Sequence, residues 1–250
     1  MKPIDRPEDL QSYYKDQQVV GAYMRKRTGE PLNGVLHRRQ VDLLNQVIAE
    51  RSPHRVLEVA CGPGRLTTAV RGVPFGVAVD SSPEMLRTAR SRMAPHAGSW
   101  SFLRSDAFVL PFVSESFDLL WTLRFVRHFQ AEDRARLYAE FRRVLRPQGL
   151  FVVDALNREV SYPHRVRRGL DRYAIYDVLY NREELERELR DAGFSIVRVE
   201  GMLKHFSVQR ALNRLRRVRL GPVARGIIAS LEWLPGDNPS TWMIVCRKQD

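Results

Sequence analysis

The 250-residue sequence predicts an α/β fold, a doubly wound sheet with helices between its strands. Two observations predict it. From residue 55 onward short apolar runs alternate with helical stretches, the pattern of successive βαβ units. The first of these runs leaves through a Cys61-Gly62-Pro63-Gly64 turn, and the next two end on Asp80 and Asp106.

The apolar runs are RVLEVA (55–60), PFGVAVD (74–80), SWSFLRSD (99–106), SFDLLWTL (116–123) and GLFVVDAL (149–156). FSIVRVEGML (194–203) and TWMIVCRK (241–248) bring the predicted strands to seven. Upstream, two amphipathic helices are expected. One lies around residues 10–24, and in the other Val35, Leu36, Leu43, Leu44 and Val47 recur at helical spacing. A helix should follow Gly64. Another should follow Asp80-Ser81-Ser82-Pro83, with proline in the first turn, where its missing N–H costs nothing. A third runs from Arg134 to Arg146, closed by Pro147 and Gly149, and a fourth from Asn181 to Ala192. Between 157 and 180 the periodicity weakens into an insertion rich in arginine and tyrosine. A basic helical segment (206–219) and an apolar helix (223–234) precede the last strand. The length suits one domain, with N-terminal helices at 1–52, a core at 53–156, and insertions with the last two strands at 157–250.

Composition narrows the class. No stretch approaches the roughly 18 to 20 apolar residues that span a bilayer, and the first residues lack an apolar leader core, so a cytoplasmic protein is expected. Two cysteines are too few for a disulfide framework or a cysteine-rich zinc site. No carboxylate–histidine cluster suggests a catalytic metal. The formal charge of +12 allows nucleic acid, an anionic membrane or an acidic substrate as partner, but the basic residues are spread over most of the chain, which favours a solvated surface.

The residues that carry chemistry cluster at the ends of the first strands. Glycines at 62 and 64 let a ligand approach the backbone closely. Glu58 sits inside an apolar strand, where an unpaired carboxylate is costly, so it needs a cationic or hydrogen-bonding partner. Asp80, 22 residues on, can accept from two ribose hydroxyls or can cap the following helix. Asp106 can accept from an adenine amino group while the Ala107 N–H donates to the ring. A dinucleotide site would want a third glycine where Thr67 stands.

In these motifs residues 55–156 resemble the class I S-adenosylmethionine-dependent methyltransferases, of the small-molecule type similar to ubiquinone-biosynthesis methyltransferases. The resemblance implies a Rossmann-like seven-stranded sheet with S-adenosyl-L-methionine as cofactor. Glu58, Ala60, Gly62 and Gly64 match the family's acid and three alternating glycines, with alanine in place of the first glycine. By the same resemblance Asp80 and Ser81 would meet the ribose, Met85 would pack near the adenine, and Asp106 with Ala107 would read its edge. Leu123 would touch the cofactor through its backbone, and Tyr23 and Arg27 would reach the methionine carboxylate.

Methyl transfer is an in-line displacement that asks the enzyme mainly to position groups and exclude water. His128, just beyond the fourth strand, is the candidate general base, and an isolated histidine is equally a structural one. Arg124 and Arg127 flank the same crevice and could bind an acidic acceptor. Tyr162, His164, Tyr173, Tyr176 and Tyr180 are the polar aromatics of the insertion, with Tyr173 and Tyr176 as substrate candidates. Arg210, Arg214 and Arg217 share a face of the basic segment opposite Leu212, Leu215 and Val218. That segment either packs on the domain or meets a lipid-linked or phosphorylated acceptor. No Asn- or Asp-Pro-Pro-aromatic tetrad follows the fourth strand and no Pro-Cys nucleophile is present, which argues against methylation of nucleic-acid bases. The reading is therefore a methyltransferase acting on an O, N or C atom of a small molecule, acidic or lipid-linked. An RNA methyltransferase and a noncatalytic S-adenosylmethionine-binding module are the alternatives.

Overall fold

The computed structural model describes residues 4–15, 30–93, 99–218, 220–236 and 238–249. Its centre is a sheet in the order β3-β2-β1-β4-β5-β8-β7. The strands are β1 (Arg55–Val59), β2 (Phe75–Asp80), β3 (Trp100–Arg104), β4 (Phe117–Thr122), β5 (Leu145–Asn157), β7 (Phe194–Met202) and β8 (Thr241–Lys248). A two-residue β6 (Leu179–Tyr180) pairs in parallel with the end of β5. The seven predicted strands are all present, and β6 adds an eighth to the sheet.

Strands β1 to β5 pair in parallel, whereas β8 runs antiparallel between β5 and β7. The chain moves outward from β1 to β3 and then restarts on the other side of β1 with β4 and β5. That reversal opens a crevice at the C-terminal ends of β1 and β4, the place where open α/β sheets bind ligands.

Alternate residues of each strand feed opposite faces. Leu57, Val59, Leu120, Phe151 and Val153 pack with Leu137 and Phe141 of α4 (Ala131–Val144) and Leu185 and Leu189 of α6 (Arg182–Asp191). Val56, Leu119, Trp121, Val152 and Val245 pack with Leu43, Leu44 and Val47 of α2 (Pro31–Arg51) and with Ala224 and Ile228 of α8 (Gly221–Leu231). The helix α3 (Pro83–Met93) packs on β2 and β3, and α1 (Pro7–Lys15) packs on α3. Among the described residues no helix is long and apolar enough to cross a membrane.

Three elements differ from expectation. After Gly64 no regular helix forms; residues 62–69 make a run of turns, with Thr68 N–H and Val70 N–H reaching back to the carbonyls of Gly64 and Leu66. Thr67, Thr68 and Val70 are β-branched, and both threonine hydroxyls are engaged elsewhere, Thr67 on Glu58 and Thr68 on the Gly64 carbonyl, which weakens helix formation. Helix α4 ends at Val144 rather than Arg146, because Leu145 is drawn into the sheet opposite Phe117 and is fully buried there. The insertion contains a helix, α5 (Arg158–Arg168), capped by the Asn157 side chain, which accepts from Glu159 N–H at 3.0 Å. Its interior Pro163 and lack of any buried residue erase the apolar period by which helices are recognised.

The basic segment packs on the domain. It divides into α7 (Phe206–Leu212) and a 3₁₀ stretch (Asn213–Val218), and Leu212 and Leu215 lie against the core face formed by α2 and α8.

Candidate functional site

The loop after β1 is shaped by three left-handed residues, Ala60 (φ 55°), Gly62 (φ 55°) and Gly64 (φ 69°). Alanine thus keeps the backbone conformation for which the family pattern has glycine. Gly62 has nothing within 4 Å of where a Cβ would stand, while a Cβ on Gly64 would lie 3.0 Å from that of Ala89. The first glycine therefore leaves room, and the second lets the loop press on α3. The loop is tied to β2 by Cys61 N–H on the Val79 carbonyl (3.0 Å) and by Gly62 N–H on Asp80 Oδ2 (2.8 Å).

Asp80 takes a second backbone donor, Ser82 N–H, on Oδ1 at 2.9 Å. Burial raises its pKa, and these backbone donors oppose the rise. The cap of α3 is instead the Ser82 hydroxyl, which accepts from Met85 N–H at 3.3 Å. The alternative role of Asp80 as helix cap is thus taken by its neighbour.

Glu58 stands behind the loop on the same sheet face as Val56, fully buried and in register with Trp121. Thr67 Oγ1 donates to its Oε2 at 2.5 Å. Burial lifts its carboxyl from the ordinary 4.5 to about 7, with the Thr67 hydroxyl and the Arg65 charge opposing. Thr67, which breaks the dinucleotide pattern, is therefore the partner that a buried acid requires.

A cleft opens at the C-terminal edge of β1, β2 and β4. Ala60, Gly62, Asp80, Ser81, Met85, Asp106, Ala107 and Leu123 line it, together with Arg124 and His128. Asp106 lies two residues past the end of β3 and is exposed, with its carboxylate accepting from Phe108 N–H at 3.0 Å. Met85 is buried. Glu58 and Gly64 stand behind the lining, and Tyr23 and Arg27 lie outside the described residues.

The cleft also has a wall that the sequence did not announce. Pro7 and Leu10 of α1 and the rings of Phe108, Phe125 and Phe129 line it. Phe129 packs edge-on to both other rings, with centroids 5.4 and 4.9 Å away. The i, i+4 spacing of Phe125 and Phe129 was the available signal, masked by their place in what reads as a strand end.

Of the acceptor candidates, Arg124 lines the cleft and Arg127 does not. Arg124 sits at φ 65° with its N–H on Asp154 Oδ1. Arg127 is buried, with Nη1 3.2 Å from Asp154 Oδ2 and Nε 3.0 Å from Asp177 Oδ1. Asp177 also meets Arg165 through Oδ2. Burial opposes its ionisation, but Arg127, His128 and Arg165 outweigh that and hold its carboxyl well below the usual carboxylate range. Tyr173 lies under the Arg165 guanidinium, 4.6 Å from its ring centroid, and the Tyr176 carbonyl faces His128; neither tyrosine lines the cleft.

The chain is similar to known methyltransferases. Residues 56–149 match the family model described as a methyltransferase domain. A malonyl-[acyl-carrier protein] O-methyltransferase of Enterobacter lignolyticus is 29% identical over 209 residues, 83% of this chain and 75% of that protein. A demethylmenaquinone methyltransferase of Thermus thermophilus is 34% identical over 119 residues, 46% of this chain and 51% of that protein. The chain spans about half the length of most curated relatives it matches. The solved structure of magnesium protoporphyrin IX methyltransferase from Synechocystis with bound SAH superposes with a TM-score of 0.68 at 13% identity, covering 98% of this chain and 100% of that one.

Proposed function

We propose that this chain, which has the class I S-adenosylmethionine-dependent methyltransferase fold and a methyltransferase domain at residues 56–149, transfers a methyl group from S-adenosyl-L-methionine to an O, N or C atom of a small-molecule acceptor. One observation carries the reading: of the ten described residues that the motifs pick for the cofactor, eight line a single cleft, seven from the ends of four strands and Met85 from α3.

The residues fit the cofactor. The open space at Gly62 admits a ligand against the backbone. Asp80 uses one acceptor site on each oxygen for the backbone, which leaves acceptor capacity for two hydroxyls. Met85 gives the apolar floor under a base, Asp106 and Ala107 offer an acceptor and a donor at its edge, and Leu123 offers backbone beside the methionine part. Ser81 supports the ribose; Tyr23 and Arg27, which the family resemblance assigns to the carboxylate, lie outside the described residues. A bound ammonium near the loop would draw the Glu58 carboxyl into its charged form. The group supplies an activated methyl on a sulfonium.

The chain's own contribution is position and exclusion of water. The wall of Leu10, Phe108, Phe125 and Phe129 desolvates the reacting end, and Arg124 offers a charge to an acidic acceptor. An acceptor that combines an acidic or lipid-linked group with an apolar body suits both features. Residues 53–156 hold the cofactor, and the apolar wall on the acceptor side comes from α1 and residues 108–129, while none of the cleft's described lining residues belongs to 157–250. Two free, buried thiols support a cytoplasmic setting. Calorimetric titration with S-adenosylmethionine and its demethylated product tests the reading. Micromolar binding of both is expected, and no binding at millimolar concentration would refute it.

A further inference from the structure

We propose that the face built by α5, α7 and α8 rests on a bilayer surface rich in anionic phospholipid. Such a contact is independent of the methyltransferase reading.

From residue 204 to residue 234 the chain carries seven Lys and Arg residues and one acid, Glu232. Glu232 is buried and spends its carboxylate inward, on the N–H groups of Leu203 and Lys204 and on the Gln209 side-chain amide. The neighbouring α5 adds Arg167 and Arg168, both exposed. Arg167, Arg168, Arg214 and Arg225 form no ion pair among the described residues. His164 of α5 lies against Phe206 of α7, with ring centroids 5.5 Å apart. Its pKa falls to about 4 through burial and through the charges of Arg210, Arg168, Arg167 and Arg165, so the positive potential is felt where the two helices meet.

Apolar side chains lie among these charges. Leu212 and Leu215 turn the apolar side of α7 and of the 3₁₀ stretch onto the core. All three helices still present apolar groups outward: Tyr162 and Val166 on α5, Val208 on α7, and Val223 and Ile227 on α8. Tyr162 and Val166 are one helical turn apart and lead to the exposed Leu170, while Leu220, Val223 and Ile227 recur at helical spacing, so these are stripes rather than scattered positions. Just past α8, Trp233 is 85% exposed, more than any other large apolar side chain described, with the exposed Leu234 beside it. On a bilayer the rings and aliphatic groups enter the headgroup boundary while the guanidinium groups meet lipid phosphates. A nucleic acid would leave the stripes in water, and a second copy of the chain would bring like charges together.

Topology sets this face beside the cleft. The end of β5, the start of β8 and the end of β7 are in register, Leu156 with Thr241 and Thr241 with Met202. Because β5 runs parallel to β4, the chain leaves for α5 and for α7 at the sheet edge that carries the cleft.

Vesicle binding by the full chain tests the contact. The protein should sediment with vesicles of mixed phosphatidylglycerol and phosphatidylcholine and stay in solution with phosphatidylcholine alone. The triple change Arg167→Glu, Arg168→Glu and Arg214→Glu should weaken binding by at least about tenfold. The same reversal at three exposed arginines elsewhere, Arg71→Glu, Arg87→Glu and Arg190→Glu, should weaken it several-fold less. Brominated phosphatidylcholine in the mixed vesicles should quench tryptophan emission, and Trp233→Ser should abolish the quenching, because Trp121 and Trp242 are buried and Trp100 lies on β3 at the far side of the sheet. Equal weakening by the two triple changes, equal binding to neutral vesicles, no vesicle binding at all, or unquenched emission overturns the proposal. The quenching of the unaltered protein needs no variant and decides the matter even if the substitutions disturb folding. Titration with S-adenosylmethionine is unaffected by any of these outcomes, so the two readings fail separately.

Discussion

Glu58 shows at the scale of one residue what a sequence can and cannot disclose. An acid inside the run RVLEVA is visible as an anomaly, and the need for a partner follows from desolvation. The partner, Thr67, is nine residues away across a turn, and nothing local marks it. The consequence is measurable. The folded state holds the Glu58 proton up to about pH 7, while the unfolded chain releases it near 4.5. Between those values the native protein binds more protons than the unfolded one, so stability falls as pH rises, by about 3 kcal/mol once pH 7 is passed. Glu58→Gln should remove that slope, and urea midpoints at pH 5 and pH 8 should differ less in the variant than in the wild type. Ala60 is the second case. Its left-handed conformation costs an alanine about 1 kcal/mol, and glycine gives part of that back as unfolded-state entropy. Ala60→Gly should therefore raise stability by about 0.5 kcal/mol in the same urea assay, leaving cofactor affinity within twofold.

At the scale of elements, legibility followed the apolar period. The strands and α2 were readable because their buried residues recur at fixed spacing. Helix α6 was readable from Asn181 and Glu184, which form a reciprocal capping box. Helix α5 was not, because it buries nothing and carries Pro163. Nor could the sequence show what joins the helices. Arg134 of α4 is buried and donates through Nε and Nη2 to Glu188 of α6 at 2.7 and 2.6 Å, and the hydroxyls of Tyr138 and Tyr180 converge on the same carboxylate. Removing Glu188 leaves a buried guanidinium and two hydroxyls short of their acceptor, so Glu188→Ala should cost about 3 kcal/mol in a denaturant titration. Glu188→Gln, which retains an acceptor, should cost less.

Across the whole molecule, the reversal of strand order between β1 and β4 decides where function lies. It gathers Ala60, Asp80, Asp106 and Leu123, spread over more than sixty positions, onto one rim. That convergence was legible because each residue ends a strand or lies just beyond one. The apolar wall from α1 and the Asp177 hub were not, because both depend on how the N-terminal segment and the insertion fold back onto that rim. The excess of positive charge, read alone, pointed toward several partners. In the structure several arginines pair internally, as in Arg127–Asp154, Arg134–Glu188 and Arg165–Asp177, but each pair uses an acid as well, so the excess of twelve charges is carried by the remaining basic residues. The most direct test of the account is a crystal structure of the protein with S-adenosylhomocysteine. The account predicts the ribose hydroxyls on Asp80, the adenine between Met85 and Asp106–Ala107, and the sulfur opening toward His128. A ligand bound elsewhere, or a cleft left empty at saturating concentration, would contradict it.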